Sequence, residues 1–119
     1  MAKHNELGKL GEELAITHLK KNGYTILDHN WYYQKAEVDI IARKDNILAV
    51  VEVKTRTSSL LGEPQDFINH KKIKLLVTAI DHYVQSRTLD VEVRFDIIAI
   101  LKSEGKISLK HLKDAFYHF

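Results

Sequence analysis

The segment from Ile47 to Thr55, ILAVVEVKT, constrains the fold more than any other stretch of the chain. For most of its length it is apolar on both faces, a pattern that suits a central strand covered on both sides. The chain must therefore supply flanking strands to pair with it and helices to cover it. Side chains alternate along a strand, so Leu48, Val50, Glu52 and Lys54 share one face. A carboxylate and an ammonium group near the end of a buried strand are expensive to desolvate, and they need partners there.

The rest of the sequence supplies those neighbours. Lys3 to Asn22 has a helical stripe of Leu7, Leu10, Leu14, Ala15 and Leu19, and Gly23 stands at its C-terminal cap. Lys20 and Lys21 complement the negative end of the helix dipole. Glu12 falls on the flank of the stripe, whereas Glu13 points further away. Tyr24 to Leu27 (YTIL) reads as a short strand, and Asp28 to Lys35 (DHNWYYQK) as either a turn or an irregular continuation. Ala36 to Ala42 (AEVDIIA) alternates, which predicts Val38, Ile40 and Ala42 on one face and Glu37, Asp39 and Ile41 on the other. Arg43 to Asn46 is a hairpin-sized turn, so Asp39 and Glu52 are expected on paired consecutive strands.

Thr57 to Asp66, which contains the only proline, reads as the one substantial loop. A second helix is expected from Asn69 to Gln85, with Ile73, Leu76, Val77, Ile80, Tyr83 and Val84 on its core face. Val91 to Leu101 is another apolar strand, Ser103 to Lys106 a turn, and Ile107 to Leu109 begins a last strand. The tail KDAFYHF reads as a closing helical turn that packs Phe116. The expected fold is α/β, in the order α-β-β-β-α-β-β, with one mixed central sheet flanked by helices and residues 1–119 forming a single domain.

Composition excludes several kinds of chemistry. The 119 residues include no cysteine, which rules out disulfides, thiolate metal sites and cysteine nucleophiles. The seven histidines show neither HxxxH nor HExxH spacing, the usual sign of a zinc site. The first residues have no apolar run typical of a signal peptide, and Ile97 to Leu101 is too short to span a bilayer, so a cytoplasmic protein without membrane contact is expected. A net charge of +2 is compatible with a nucleic-acid partner without pointing to one.

Asp39 and Glu37 from one strand converge on Glu52 from the next, and carboxylates brought together repel unless a cation lies between them. Oxygen ligands at a strand end suit Mg²⁺ or Mn²⁺ rather than zinc. Such a centre can hydrolyse a phosphodiester, with Lys54 orienting the attacking water and stabilising phosphoryl charge.

The run Glu37-Val38-Asp39, followed thirteen residues after Asp39 by Glu52-Val53-Lys54, resembles the D…ExK signature of the restriction-endonuclease-like superfamily. More closely, the chain resembles the YraN-like family of small bacterial proteins. The matching residues are Gly8-x-x-Gly11-Glu12-x-x-Ala15, Gly23-Tyr24, Asn30-Trp31, Glu37-Val38-Asp39-Ile40-Ile41 and Val51-Glu52-Val53-Lys54-Thr55-Arg56. They continue through Lys71, Arg94-Phe95-Asp96 and Lys113-Asp114-Ala115-Phe116, and so cover nearly the whole chain. Ala36 departs from the glycine usual in that family, at a position that carries no ligand. The family is similar in core pattern to archaeal Holliday-junction resolvases. The resemblance implies a nuclease with Asp39 and Glu52 as metal ligands, the Val53 carbonyl as a third, Lys54 as catalytic lysine and Glu12 completing the site.

Other residues admit two readings. Lys71, Lys72 and Lys74 are either a solvated helix face or phosphate contacts, and Arg56 is either a phosphate clamp or a rim charge. Glu37 either supports the ligands or is an edge-strand charge. Trp31, Tyr32 and Tyr33 either stack on unpaired bases or pack internally. Asp96, in an apolar strand, calls for a structural partner. The function expected is a divalent-metal-dependent endonuclease acting on DNA, possibly branched or single-stranded. A non-catalytic nucleic-acid-binding module of the same fold is the alternative. Cutting two strands favours a homodimer, for which the sequence reveals no surface.

Overall fold

A computed structural model describes residues 2–57 and 69–115, with side chains from residue 6 onward. Most of the loop expected at Thr57 to Asp66 and the position of Phe116 lie outside the described residues. The elements follow the expected order: α1 (Ala2–Lys21), β1 (Thr25–Tyr33), β2 (Ala36–Lys44), β3 (Ile47–Arg56), α2 (His70–Ser86), β4 (Glu92–Ser103) and β5 (Lys106–Leu112). No described helix is long and apolar enough to cross a membrane.

The five strands lie in sequence order in one sheet. β3 and β4 pair in parallel over ten residues, from Ile47↔Glu92 to Arg56↔Leu101, and the other neighbours are antiparallel. The parallel pair needs a crossover connection, and α2 is that crossover. Helices cover both faces of β3, as its apolar composition requires. On one face Leu48, Val50, Phe95 and Ile97 pack with Ile73, Leu76, Ile80 and Tyr83 of α2. On the other, Ala49, Val51, Ile98 and Ile100 pack with Ala15 and Leu19 of α1.

Local sequence explains the helix ends. Asn69 caps α2, its side chain accepting the Lys72 N–H at 2.8 Å. α1 ends where Gly23, at a φ of 90°, turns the chain. Gly23 N–H donates to Lys20 and Tyr24 N–H to Leu19, the paired bonds of a Schellman cap. Gly11 brings α1 close to the sheet, because a Cβ there would collide with the Thr55 side chain.

Of the two readings of the segment after Leu27, the irregular continuation holds: β1 runs to Tyr33 with a register shift between Ile26 and Asp28. One expectation is revised, the simple alternation along β2. Val38 packs with Ile41 on the α2 face, whereas Ile40 and Ala42 face α1. In the adjoining β1, between the pairs His29↔Ile40 and Trp31↔Val38, Asn30 takes a φ of 50°. Asparagine tolerates that left-handed conformation better than most residues.

Candidate active site

The site lies where β2 and β3 part. Their ladder stops at Ile40↔Val51, and beyond it the Val53 N–H donates to Asp39 Oδ2 at 2.8 Å. The Asp39 side chain thus substitutes for a strand partner and stands in the gap between the diverging strands. It lines a recess on each side of the sheet. The α2-side recess, of about 390 Å³, also contains Glu37, Glu52 and Lys72, and the α1-side recess, of about 310 Å³, contains Glu12, Lys54 and Arg56.

Glu52 is 2 % exposed, as the alternation of β3 beside Leu48 and Val50 dictates. Its Oε2 lies 3.0 Å from Lys72 Nζ, while Oε1 is buried with no hydrogen-bond partner. An unsatisfied buried carboxylate oxygen costs on the order of 1–3 kcal/mol or more, which marks this atom as built for another partner.

The electrostatics agree with that reading. Burial, and then the Glu52 carboxylate, push the Asp39 carboxyl up to about 7, against the Val53 N–H and Lys72, which favour the charged form. Burial likewise raises the Glu52 carboxyl, with Lys72 opposing. Burial and the neighbouring Lys72 lower the Lys54 ammonium, against the pull of Glu52 and Asp39. Burial also works against the Lys72 charge, but Glu52 more than offsets it and holds that ammonium above its ordinary value. Two carboxyl groups held together at the cost of their charge offer hard oxygen donors of the kind that Mg²⁺ or Mn²⁺ takes. Among the described residues no three His, Asp or Glu side chains converge as a complete metal cage. The acidic donors brought together are therefore the Asp39 and Glu52 pair.

Glu12 lines the α1-side recess with Asp39, whereas Glu52 lines the α2-side one. Glu12 Oε1 accepts from Asn30 Nδ2 at 2.7 Å and lies 3.6 Å from His29 Nδ1, on the α1 side. Asn30 was not assigned a role from sequence, yet it tethers the helix acid. Glu37 is exposed and bonded by the Tyr32 hydroxyl, which Glu37 pushes above its ordinary value. Of the three lysines expected at phosphates, Lys71 and Lys74 point to solvent and Lys72 turns into the site. Arg56 Nη1 donates to the Thr55 carbonyl at 3.0 Å, at the rim of the α1-side recess.

The aromatic run divides. Trp31 packs edge-on against Tyr83 at 5.1 Å and Tyr33 stacks on His82 at 4.3 Å, both against α2. Tyr32 between them is 64 % exposed. Asp96 has the structural partners its burial requires: Arg94 in two bonds of 2.9 and 2.8 Å, His111 Nε2 at 2.8 Å and the Asp114 N–H at 3.0 Å.

Comparison with known proteins places this architecture. Residues 11–100 match the model of the uncharacterised protein family UPF0102. The chain belongs to the UPF0102 family. It is 57% identical to a UPF0102 protein of Flavobacterium psychrophilum over 119 residues, all of both chains. It is 58% identical to one of Flavobacterium johnsoniae over 123 residues, again all of both. A UPF0102 protein of Bacteroides thetaiotaomicron is 45% identical over 117 residues, 98% of this chain and 97% of that one. The part matching the UPF0102 model contains Glu12, Asp39, Glu52, Lys54 and Lys72, and it ends before β5.

Proposed function

We propose that this UPF0102 protein is a divalent-metal-dependent nuclease that hydrolyses phosphodiester bonds in DNA. The observation that carries the reading is the half-buried Asp39 beside the buried Glu52, with Glu52 Oε1 unsatisfied and Lys54 nearby. When bound, Mg²⁺ or Mn²⁺ supplies a water of lowered pKa and offsets charge on the transferring phosphoryl group. Asp39 and Glu52 hold that cation, with the Val53 N–H fixing the orientation of Asp39. Lys54, its ammonium made easier to deprotonate by burial and by Lys72, orients the water and meets the developing oxyanion charge. Glu12 and Arg56 border the recess through which the backbone approaches, and Lys71 and Lys74 offer solvent-facing charge to flanking phosphates.

The test is incubation with linear, nicked, flapped and four-way DNA in Mg²⁺ or Mn²⁺, beside Asp39→Asn. Cleavage that a chelator and Asp39→Asn both abolish is the expected result. Equal cleavage by the variant, or none on any substrate, overturns the reading.

A further inference from the structure

We propose that Lys72 is the resident counter-ion of the carboxylate pair, and that it vacates Glu52 when a divalent cation binds there. This rests on the metal-centre reading above, and adds that α2 carries an internal competitor for the metal.

The placement of Lys72 is built in. Its backbone N–H is fixed by the Asn69 cap at 2.8 Å, and it precedes the buried Ile73 by one residue and Leu76 by four. Lys72 therefore shares the helix face of Leu76, and both line the α2-side recess with Asp39 and Glu52. Neighbouring Lys71 and Lys74 lie on the solvent side of the same turns.

The pairing is also lopsided. Lys72 reaches only Oε2, leaving Oε1 of the same carboxylate bare. One ammonium thus compensates part of a site that holds a buried acid and a half-buried one. The Lys72 side chain is 38% exposed and the Glu52 side chain 3%, so the cation has a path to water that the acid lacks. Rotation about the flexible lysine stem moves Nζ off Glu52 without displacing the helix. A divalent charge between Asp39 and Glu52 repels Nζ, and both cations compete for Oε2. Once released, the ammonium stands at the rim of the recess, where a phosphate anion is its available partner.

The inference has a sign that a purely structural ion pair lacks: removing the Lys72 charge should tighten metal binding. Mn²⁺ titration followed by calorimetry at pH 8.5, without DNA, reads this directly. Lys72→Met is expected to bind Mn²⁺ about tenfold more tightly than wild type, about 1.4 kcal/mol. Lys72→Arg, which keeps the charge, is expected to bind like wild type. Should the Met variant fail to fold, Lys72→Gln serves in its place. Wild-type binding that the neutral variant leaves unchanged or weakens overturns this assignment alone. No Mn²⁺ binding by the wild type overturns the metal reading and this inference together.

Discussion

Asp39 accepts the Val53 N–H at 2.8 Å just past the last β2–β3 ladder pair, so one side chain both ends the strand pairing and anchors the candidate metal centre. The same carboxylate is needed twice, once as a hydrogen-bond acceptor and once as a charge. An amide keeps the first role and loses the second. Asp39→Asn should therefore retain the fold while cleavage falls by about 10²-fold or more, the scale of losing a group that stabilises transition-state charge. Rates on the DNA panel and thermal unfolding of the same sample check both halves. A variant that unfolds, or one that cleaves normally, contradicts this division of roles.

The same pair makes a prediction about stability in the absence of metal. Asp39 titrates at about 7 when folded against an ordinary value of 3.8. Between those values the folded state binds more protons than the unfolded state, so this group makes stability fall as pH rises from about 4 to 7. Where a full proton separates the states, the slope is about 1.4 kcal/mol per pH unit. Asp39→Asn should remove that loss and leave the metal-free protein more stable than wild type at pH 8. Urea unfolding at pH 5 and pH 8 reads the difference, and an equal pH dependence in both proteins would exclude it.

How much of this was legible in the sequence follows from what each residue depends on. Glu52 could be placed because it continues the alternation of Leu48 and Val50 along β3, which stays paired with β4 beyond the end of the β2 ladder. The order of elements was equally readable, since each has its own periodicity and cap. Asp39 was assigned to the correct strand, but the change of face between Val38 and Ile40 was not, because nothing within AEVDIIA announces it. The orientation of Lys72 escaped for another reason. Three lysines in the first turns of a helix look alike until the crossover sets which face meets β3. The contact of His18 with His111 links residues 93 positions apart, and no local pattern announces it.

That contact predicts an acid-sensitive joint between α1 and β5. His111 Nε2 donates to the Asp96 carboxylate, and its Nδ1 lies 3.1 Å from His18 Nε2. Burial lowers the His18 imidazole below 6.5, and His111 and Lys113 lower it further. A histidine depressed in the folded state is protonated first in the unfolded chain, so its contribution to stability is complete above about pH 6.5 and declines below it. This slope is opposite to that of Asp39, and variants separate the two. His18→Gln should flatten the loss of stability between pH 6.5 and 5 and leave the limb toward pH 8 unchanged. Unfolding midpoints at pH 5, 6.5 and 8 test this, and a wild-type slope in the variant would assign the acid limb to other groups.

Close approach of α1 to the sheet at Gly11 makes a steric prediction with a built-in control. An alanine Cβ there meets the Thr55 side chain, Oγ1 first. Alanine is the better helix former by about 1 kcal/mol, so propensity alone predicts that Gly11→Ala stabilises. Overpacking in a fixed interior costs about 1–3 kcal/mol and should win, because Thr55 is held by the β3–β4 ladder and has little room to retreat. Gly11→Ala is therefore expected to lower the unfolding midpoint. It should also shift Glu12, the next residue on α1, away from its bond to Asn30. Thr55→Ala in the same chain removes the oxygen that the new Cβ meets first, so the double variant should recover part of the loss. That recovery is the decisive measurement: additive losses in the double-mutant cycle would mean that Gly11 is required for something other than its distance from Thr55.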